Sequence, residues 1–309
     1  MSFHMKNRHA RRGLQAAAIS LFSLLASVAH ADWNGLNMTE GVTILSKKIY
    51  SLHMLILWVC VALAVVVFGV MIYSLIKFRK SQGAQPDTTL VHSTKVEIVW
   101  TIIPIMILVG IAVPIAKTLI EIEDMGHVDV NIKVTGYQWK WEYDYLGQNV
   151  SFFSTLRRDS DKARQLGSGV NPKDVPNYLL EVDNHLVIPA NTKIRFLLTA
   201  NDVIHAWWVP AFGMKKDAIP GYVNEIWVQV DADKLGTYRG QCAELCGQDH
   251  GFMPIVVDVV SPAEFDKWLR EKQAEQKLAG NSPTAPTDPA PATAVEKTVA
   301  STAPAVSQQ

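Results

Sequence analysis

Cysteine is almost absent from this chain, with three among 309 residues. Three cannot form a stapling disulfide framework at this length; only Cys242 and Cys246 stand close together, and Cys60 lies in an apolar run. There is no Cys-x-x-Cys-His sequence, which excludes a covalently attached haem of the c type. Net charge is missing too, since 29 Lys and Arg balance 29 Asp and Glu. The balance hides a split: residues 1–120 carry 11 basic against 4 acidic side chains, residues 121–275 carry 16 against 23, and residues 276–309 carry 2 of each. Opposite signs on the two main parts imply different surroundings for each. The acidic excess on the larger polar part disfavours binding to nucleic-acid phosphates.

Hydrophobic residues, by contrast, reach 49%, and they open the chain in three runs. The first follows the basic head Lys6, Arg8, Arg11 and Arg12, runs from Leu14 to Val28 and ends on Ala29-His30-Ala31, a small-x-small cleavage pattern. It reads as a secretory signal peptide over residues 1–31, leaving 32–51 as an extracytoplasmic N-terminal segment. A short extra membrane helix is the alternative, but the run falls below the roughly 20 residues needed to span. The second and third runs do reach that length. Leu52 to Ile76 carries no formal charge, and Ile98 to about Ile120 carries only Lys117 near its end, with Pro104 and Pro114 tolerated as they are in membrane helices. Residues 52–120 therefore predict a transmembrane hairpin, with the lipid bilayer as a partner. Lys77, Arg79, Lys80 and Lys95 mark its loop as the inner side, and the signal peptide places both mature termini outside.

From Val128 the helical period gives way to short β-rich runs, Val128 to Thr135, Tyr178 to Val182, Lys193 to Thr199, Glu225 to Val230 and Ile255 to Val260, separated by turn formers. They predict an all-β Greek-key sandwich over residues 121–275. Residues 149–177, polar and carrying Gly167-Ser168-Gly169, read as a long excursion between strands. Ser261-Pro262-Ala263-Glu264 supplies an N-cap, a first-turn proline and a capping-box acid, predicting a terminal helix from about Pro262 to Lys272. Ala, Pro and Thr dominate residues 276–309, a composition that cannot bury enough apolar area to order itself.

Candidate chemistry is concentrated late. Cys242-Ala-Glu-Leu-Cys246-Gly-Gln-Asp-His250-Gly-Phe-Met253 gathers four soft or borderline ligands, and His205 heads a strand-like His-Ala-Trp-Trp-Val upstream. A histidine upstream and Cys, His and Met at short spacing in the last loop of a β-sandwich is a blue-copper arrangement. The extra cysteine allows two thiolates to bridge a pair of copper ions. A small-loop disulfide and a Cys2His2 zinc site are the alternatives, and the thioether of Met253 argues against zinc. In Tyr137-Gln-Trp139-Lys-Trp141-Glu-Tyr143-Asp-Tyr145 the aromatics alternate strictly, so a single strand would place them all on one face. That face is either a core surface or a platform by which electrons reach the metal. Glu97, one residue before Ile98, reads as an acid favoured by a helix N-terminus.

The spanning hairpin, Gly136-Tyr-Gln-Trp139-Lys-Trp141, Asp217-Ala-Ile-Pro-Gly221 and the cysteine loop follow in this order, and over residues 40–272 the chain resembles subunit II of bacterial haem–copper cytochrome c oxidases. The resemblance implies a cupredoxin-like domain with a dinuclear mixed-valence copper centre, CuA. Its side-chain ligands would be His205, Cys242, Cys246, His250 and Met253, and Glu244 would ligate through its backbone carbonyl. The Glu244 carboxylate would reach a magnesium ion at the boundary with subunit I. Trp139 would receive the electron from cytochrome c, and Glu97 would lie at the mouth of a proton channel of subunit I. That haem-containing partner would reduce oxygen to water and pump protons across the bacterial inner (plasma) membrane, with the copper domain on the periplasmic side. Tyr137, Lys140 and Tyr222 depart from residues common in the family, and none is a metal ligand. A membrane-anchored copper-delivery protein would share the cysteine loop but would need neither the aromatic run nor Glu97. The CuA domain of nitrous oxide reductase normally lacks two membrane spans.

Overall fold

The computed structural model describes residues 35, 37–85, 88, 89 and 92–280. The expected signal peptide, residues 1–31, and most of the Ala/Pro/Thr-rich tail, residues 281–309, lie outside them.

Two long helices come first, α1 (Ile44–Lys77) and α2 (Thr94–Ile122). Both are long and apolar enough to cross a membrane, and their apolar side chains point outward rather than into a core of this chain. α1 starts eight residues before the expected Leu52, so the segment 32–51 is not all non-helical. The cause is a reciprocal cap: Ser46 N–H donates to Thr43 Oγ1 at 3.0 Å and Thr43 N–H to Ser46 Oγ at 2.9 Å. The residues before this cap are stitched into the soluble domain. Val42 N–H donates to the Ala211 carbonyl at 2.9 Å, Thr43 bridges Val230, and Leu45 is buried in the domain core. Lys47 pairs with Asp231, fixing α1 to the domain, and Lys48 pairs with Glu121 at the end of α2, joining the two helices.

The domain is a sandwich of two five-stranded sheets. One has the order β3-β2-β1-β5-β8 and the other β4-β10-β9-β6-β7, from β1 (Val130–Tyr137), β2 (Lys140–Tyr145), β3 (Val150–Ser154), β4 (Leu186–Pro189), β5 (Ile194–Ala200), β6 (His205–Val209), β7 (Met214–Ala218), β8 (Asn224–Val228), β9 (Gly236–Cys242) and β10 (Pro254–Val260). The chain crosses repeatedly between the sheets, and β1 with β5 and β4 with β10 are the parallel pairs. Strict alternation along β5, with Ile194, Phe196, Leu198 and Ala200 inward, shows how the period-2 pattern builds the core.

Three strand expectations change. The aromatic run is not one strand: β1 ends at Tyr137, Gln138 and Trp139 form a two-residue turn, and only Trp141, Tyr143 and Tyr145 share the buried face of β2. Tyr178 to Val182 forms no strand, because Asn177 and Leu179 take left-handed conformations (φ 52° and 62°) and only Val182 bridges Leu156. The expected excursion 149–177 opens with β3 and carries a short helix, α3 (Arg158–Ala163).

The terminal helix α4 (Pro262–Gly280) begins as expected, with Ser261 Oγ donating to Glu264 Oε2 at 2.7 Å, but runs well past Lys272 and past the expected boundary at residue 275. Its extension has a partner. β3 is a sheet edge, and the side-chain amide of Gln276 donates to the carbonyl of Ser151 on that edge, while that of Gln273 donates to the carbonyl of Gln148 in the turn just before it.

Candidate metal centre

Most candidate ligands sit where an element begins or ends. β6 starts at His205, β9 finishes at Cys242, the connecting loop carries Cys246 and a single 3-10 turn His250–Phe252, and Met253 directly precedes β10. β6 and β9 are neighbours, with Trp207 opposite Cys242, so His205 and Cys242 meet at one end of the second sheet. His205, Cys242, Cys246 and Met253 are buried, and His250 is half-buried.

The donor atoms form a continuous cluster. His205 Nδ1 lies 3.9 Å from Cys242 Sγ, the two sulfurs are 3.8 Å apart, and Cys246 Sγ is 3.5 Å from both His250 Nδ1 and Met253 Sδ. Cys242 Sγ is 3.4 Å from the carbonyl oxygen of Glu244. The sulfurs are far beyond the ~2.05 Å of a disulfide, while a metal bonded to each at ~2.3 Å reaches across the gap. One ligand atom from each of His205, Cys242 and Cys246 lies within 4.8 Å of the other two, close enough to share a metal ion. Burial pushes both thiols up. At Cys242, hydrogen bonds with His205 and with backbone groups of Ala206 and Glu244 outweigh burial and bring it down, whereas at Cys246 the adjoining Cys242 adds to burial. The pair holds one negative charge readily and resists the second, which is the condition a bridging cation relieves.

A surrounding shell, absent from the sequence reading, orients these groups. Asp202 accepts from Gln138 N–H at 2.7 Å through one carboxylate oxygen and lies 2.9 Å from His205 Nε2 through the other. Burial raises the Asp202 carboxyl, but His205 and the amides of Val203 and Gln138 draw it below its ordinary value. Trp139 Nε1–H and the Gln138 side-chain amide both donate to the Cys246 carbonyl, at 3.1 and 2.9 Å. Trp141 Nε1–H donates to the Met253 carbonyl at 3.3 Å, and its ring stands 5.8 Å from that of His205. A Cβ on Gly136 would fall 2.7 Å from Cδ2 of His205, so only glycine lets β1 run against the imidazole. The sole advance signals were an acid three residues before His205 and the glycine opening the aromatic run.

Glu97 is not brought to this cluster. It lies in the first turn of α2, 25 residues from Ile122 and so roughly 40 Å along the helix from the domain.

Residues 130–260 match the profile of the cytochrome c oxidase subunit II periplasmic domain, and residues 31–117 match that of the subunit II transmembrane domain. A probable cytochrome c oxidase subunit 2 of Rickettsia bellii is 42% identical over 236 residues, covering 76% of this chain and 82% of the relative. The chain belongs to the cytochrome c oxidase subunit II family. The subunit 2 of Cereibacter sphaeroides is 34% identical over 265 residues, covering 82% of this chain and 86% of that one. The crystal structure of the periplasmic domain of subunit II of Bradyrhizobium japonicum cytochrome oxidase is 43% identical and covers 48% of this chain and 96% of that chain, with a TM-score of 0.40. As a subunit II the chain is a membrane protein with its sandwich on the outer side, and it works beside other oxidase subunits.

Proposed function

We propose that this subunit II takes single electrons from cytochrome c at a dinuclear copper centre and hands them to a haem-containing subunit I, in a bacterial plasma membrane. The observation that carries the reading is the donor set. Three side chains and one carbonyl converge on two cysteine sulfurs 3.8 Å apart, six donors in all and more than one tetrahedral ion takes, and they include a thioether that favours copper over zinc. His205, Cys242, Cys246, His250 and Met253, with the Glu244 carbonyl, hold two copper ions. Copper bound there supplies a one-electron store that exchanges electrons without making or breaking a covalent bond to substrate. Burial of four of the five side chains keeps water out and keeps the ligands in place through the change of charge. Trp139 is half-buried and joined to the Cys246 backbone by one hydrogen bond, a short route inward from the surface. The Glu244 carboxylate is exposed and has no partner among the described residues, leaving it free to reach a magnesium ion shared with subunit I. Glu97, at the far end of the hairpin, serves the mouth of a proton channel there.

Copper analysis and EPR of the full-length chain in detergent test the centre. Two copper ions per chain and hyperfine coupling to both nuclei are expected; one ion coupled to a single nucleus overturns it. Cys242→Ser and Cys246→Ser should each abolish the shared signal, whereas Met253→Leu should retain copper and shift the reduction potential, because a weak thioether ligand would tune the metal more than hold it.

A further inference from the structure

The excursion between β3 and β4 has so far no part in the chemistry, yet it touches the ligand loop at a telling place. Arg164, the residue following α3, faces Asp249 with Nη1 3.3 Å from Oδ1 and Nη2 3.5 Å from Oδ2. Its guanidinium carbon also stands 4.2 Å from the centre of the Phe252 ring. Its Nε donates to Asp161 Oδ1 at 2.8 Å, so the group is aimed from its own segment. Asp249 and Phe252 hold no metal themselves, but each immediately precedes a ligand, His250 and Met253. The loop between them is one 3-10 turn with no side-chain cap of its own, so its support has to come from outside. The excursion can supply that support because it is anchored to the sandwich: Arg157 N–H donates to the Glu181 carbonyl at 3.0 Å, and the Glu181 carboxylate accepts from Arg239 Nη2 of β9 at 2.8 Å.

We propose that Arg164 is a positioning residue that clamps the ligand loop, fixing His250 through Asp249 and Met253 through Phe252. The inference builds on the proposed copper reading. A planar guanidinium can present two N–H groups to a carboxylate while lying over a ring, and a lysine ammonium cannot do both. Loss of a partner just outside the ligands typically weakens metal binding by about 10- to 100-fold.

The full-length chain in detergent, loaded with copper, is compared with Arg164→Gln, Arg164→Lys, Asp249→Asn and the Arg164→Gln/Asp249→Asn double variant. The measurements are the rate of copper loss to a chelator, the EPR hyperfine pattern, and the unfolding midpoint without copper. Arg164→Gln and Asp249→Asn are each expected to lose copper about ten-fold faster or more and to change the hyperfine pattern. The double variant should be no worse than the worse single, and Arg164→Lys should fall between. The copper-free midpoint of Arg164→Lys should stay at the wild-type value. Wild-type release rates and spectra in all variants, or losses that simply add in the double variant, overturn the clamp. If Arg164→Gln does not fold, Arg164→Lys and Asp249→Asn decide the matter. A wild type holding a single copper overturns the dinuclear reading instead, and the release rates then still judge the clamp.

Discussion

Asp202 shows how much of the centre depends on residues that never touch a metal. One carboxylate joins the Gln138-Trp139 turn to the outer nitrogen of His205, so a single side chain fixes both the imidazole and the turn carrying Trp139. Asp202→Asn should keep the fold but weaken copper binding by about ten-fold or more, measured by chelator competition, because the neutral amide holds the imidazole less firmly. Wild-type affinity in this variant would remove Asp202 from the shell. The donor cluster itself was legible in the sequence, since four of its members fall within twelve residues and soft donors at such spacing admit few chemistries. Asp202, Gln138 and Arg164 were not. Their contacts join segments far apart in the chain, and the one local hint, an acid three residues before His205, points to Asp202 alone.

Elements were legible where one period ran undisturbed and were misread where tertiary contacts set the boundary. α1 begins early because Thr43 and Ser46 cap it against the sandwich, and α4 runs late because Gln276 binds the β3 edge and Gln273 the turn just before it. The segment expected as a strand at Tyr178 to Val182 instead delivers Glu181, which is buried, to an ionic cluster. His185 bridges Glu181 and Asp258 at 2.8 Å each, and Arg239 Nη2 donates to Glu181 at 2.8 Å. The bond to Asp258 raises the His185 imidazole above its ordinary value, against the opposing effect of burial. Burial pushes the carboxyls of Glu181 and Asp258 up, but Arg239 and His185 respectively draw them below the ordinary range. The carboxylates therefore stabilise fully above about pH 4.5 and lose this as pH falls through their depressed values. The imidazole stabilises fully below about pH 6.5 and loses this as pH rises through its elevated value. The stability difference between wild type and His185→Gln should be greatest near pH 5 to 6, about 2 kcal/mol for charge-assisted bonds of this kind, and should shrink toward pH 9. Denaturant titrations of the copper-loaded protein across that range check this; a difference independent of pH would show that the His185 imidazole binds its proton no more tightly folded than unfolded.

At the scale of the whole molecule the proposed function separates three tasks in space. α2 carries Glu97 roughly 40 Å from the sandwich, so Glu97→Gln in the assembled oxidase should slow turnover several-fold while leaving copper content and cytochrome c affinity unchanged; lost assembly would instead identify a structural acid at a helix start. Steering and transfer are likewise separable on the outer side. Residues 121–275 carry 16 basic against 23 acidic groups, a field that would draw a basic cytochrome c, the proposed donor, and that is screened over about 8 Å at physiological salt. Its effect belongs to the association rate, so turnover at limiting cytochrome c should fall as ionic strength rises. Trp139 acts at the next step. It is uncharged and half-buried, and its contact with the centre is the hydrogen bond to the Cys246 carbonyl. Trp139→Gln removes the aromatic route without altering the field, so cytochrome c should bind with near wild-type affinity and the same salt dependence while transfer falls by orders of magnitude. Stopped-flow reduction of the copper centre, followed beside equilibrium binding at two ionic strengths, distinguishes the two. Binding and transfer falling together would make Trp139 a docking residue, and a wild type insensitive to salt would mean that the acidic field does not steer the donor.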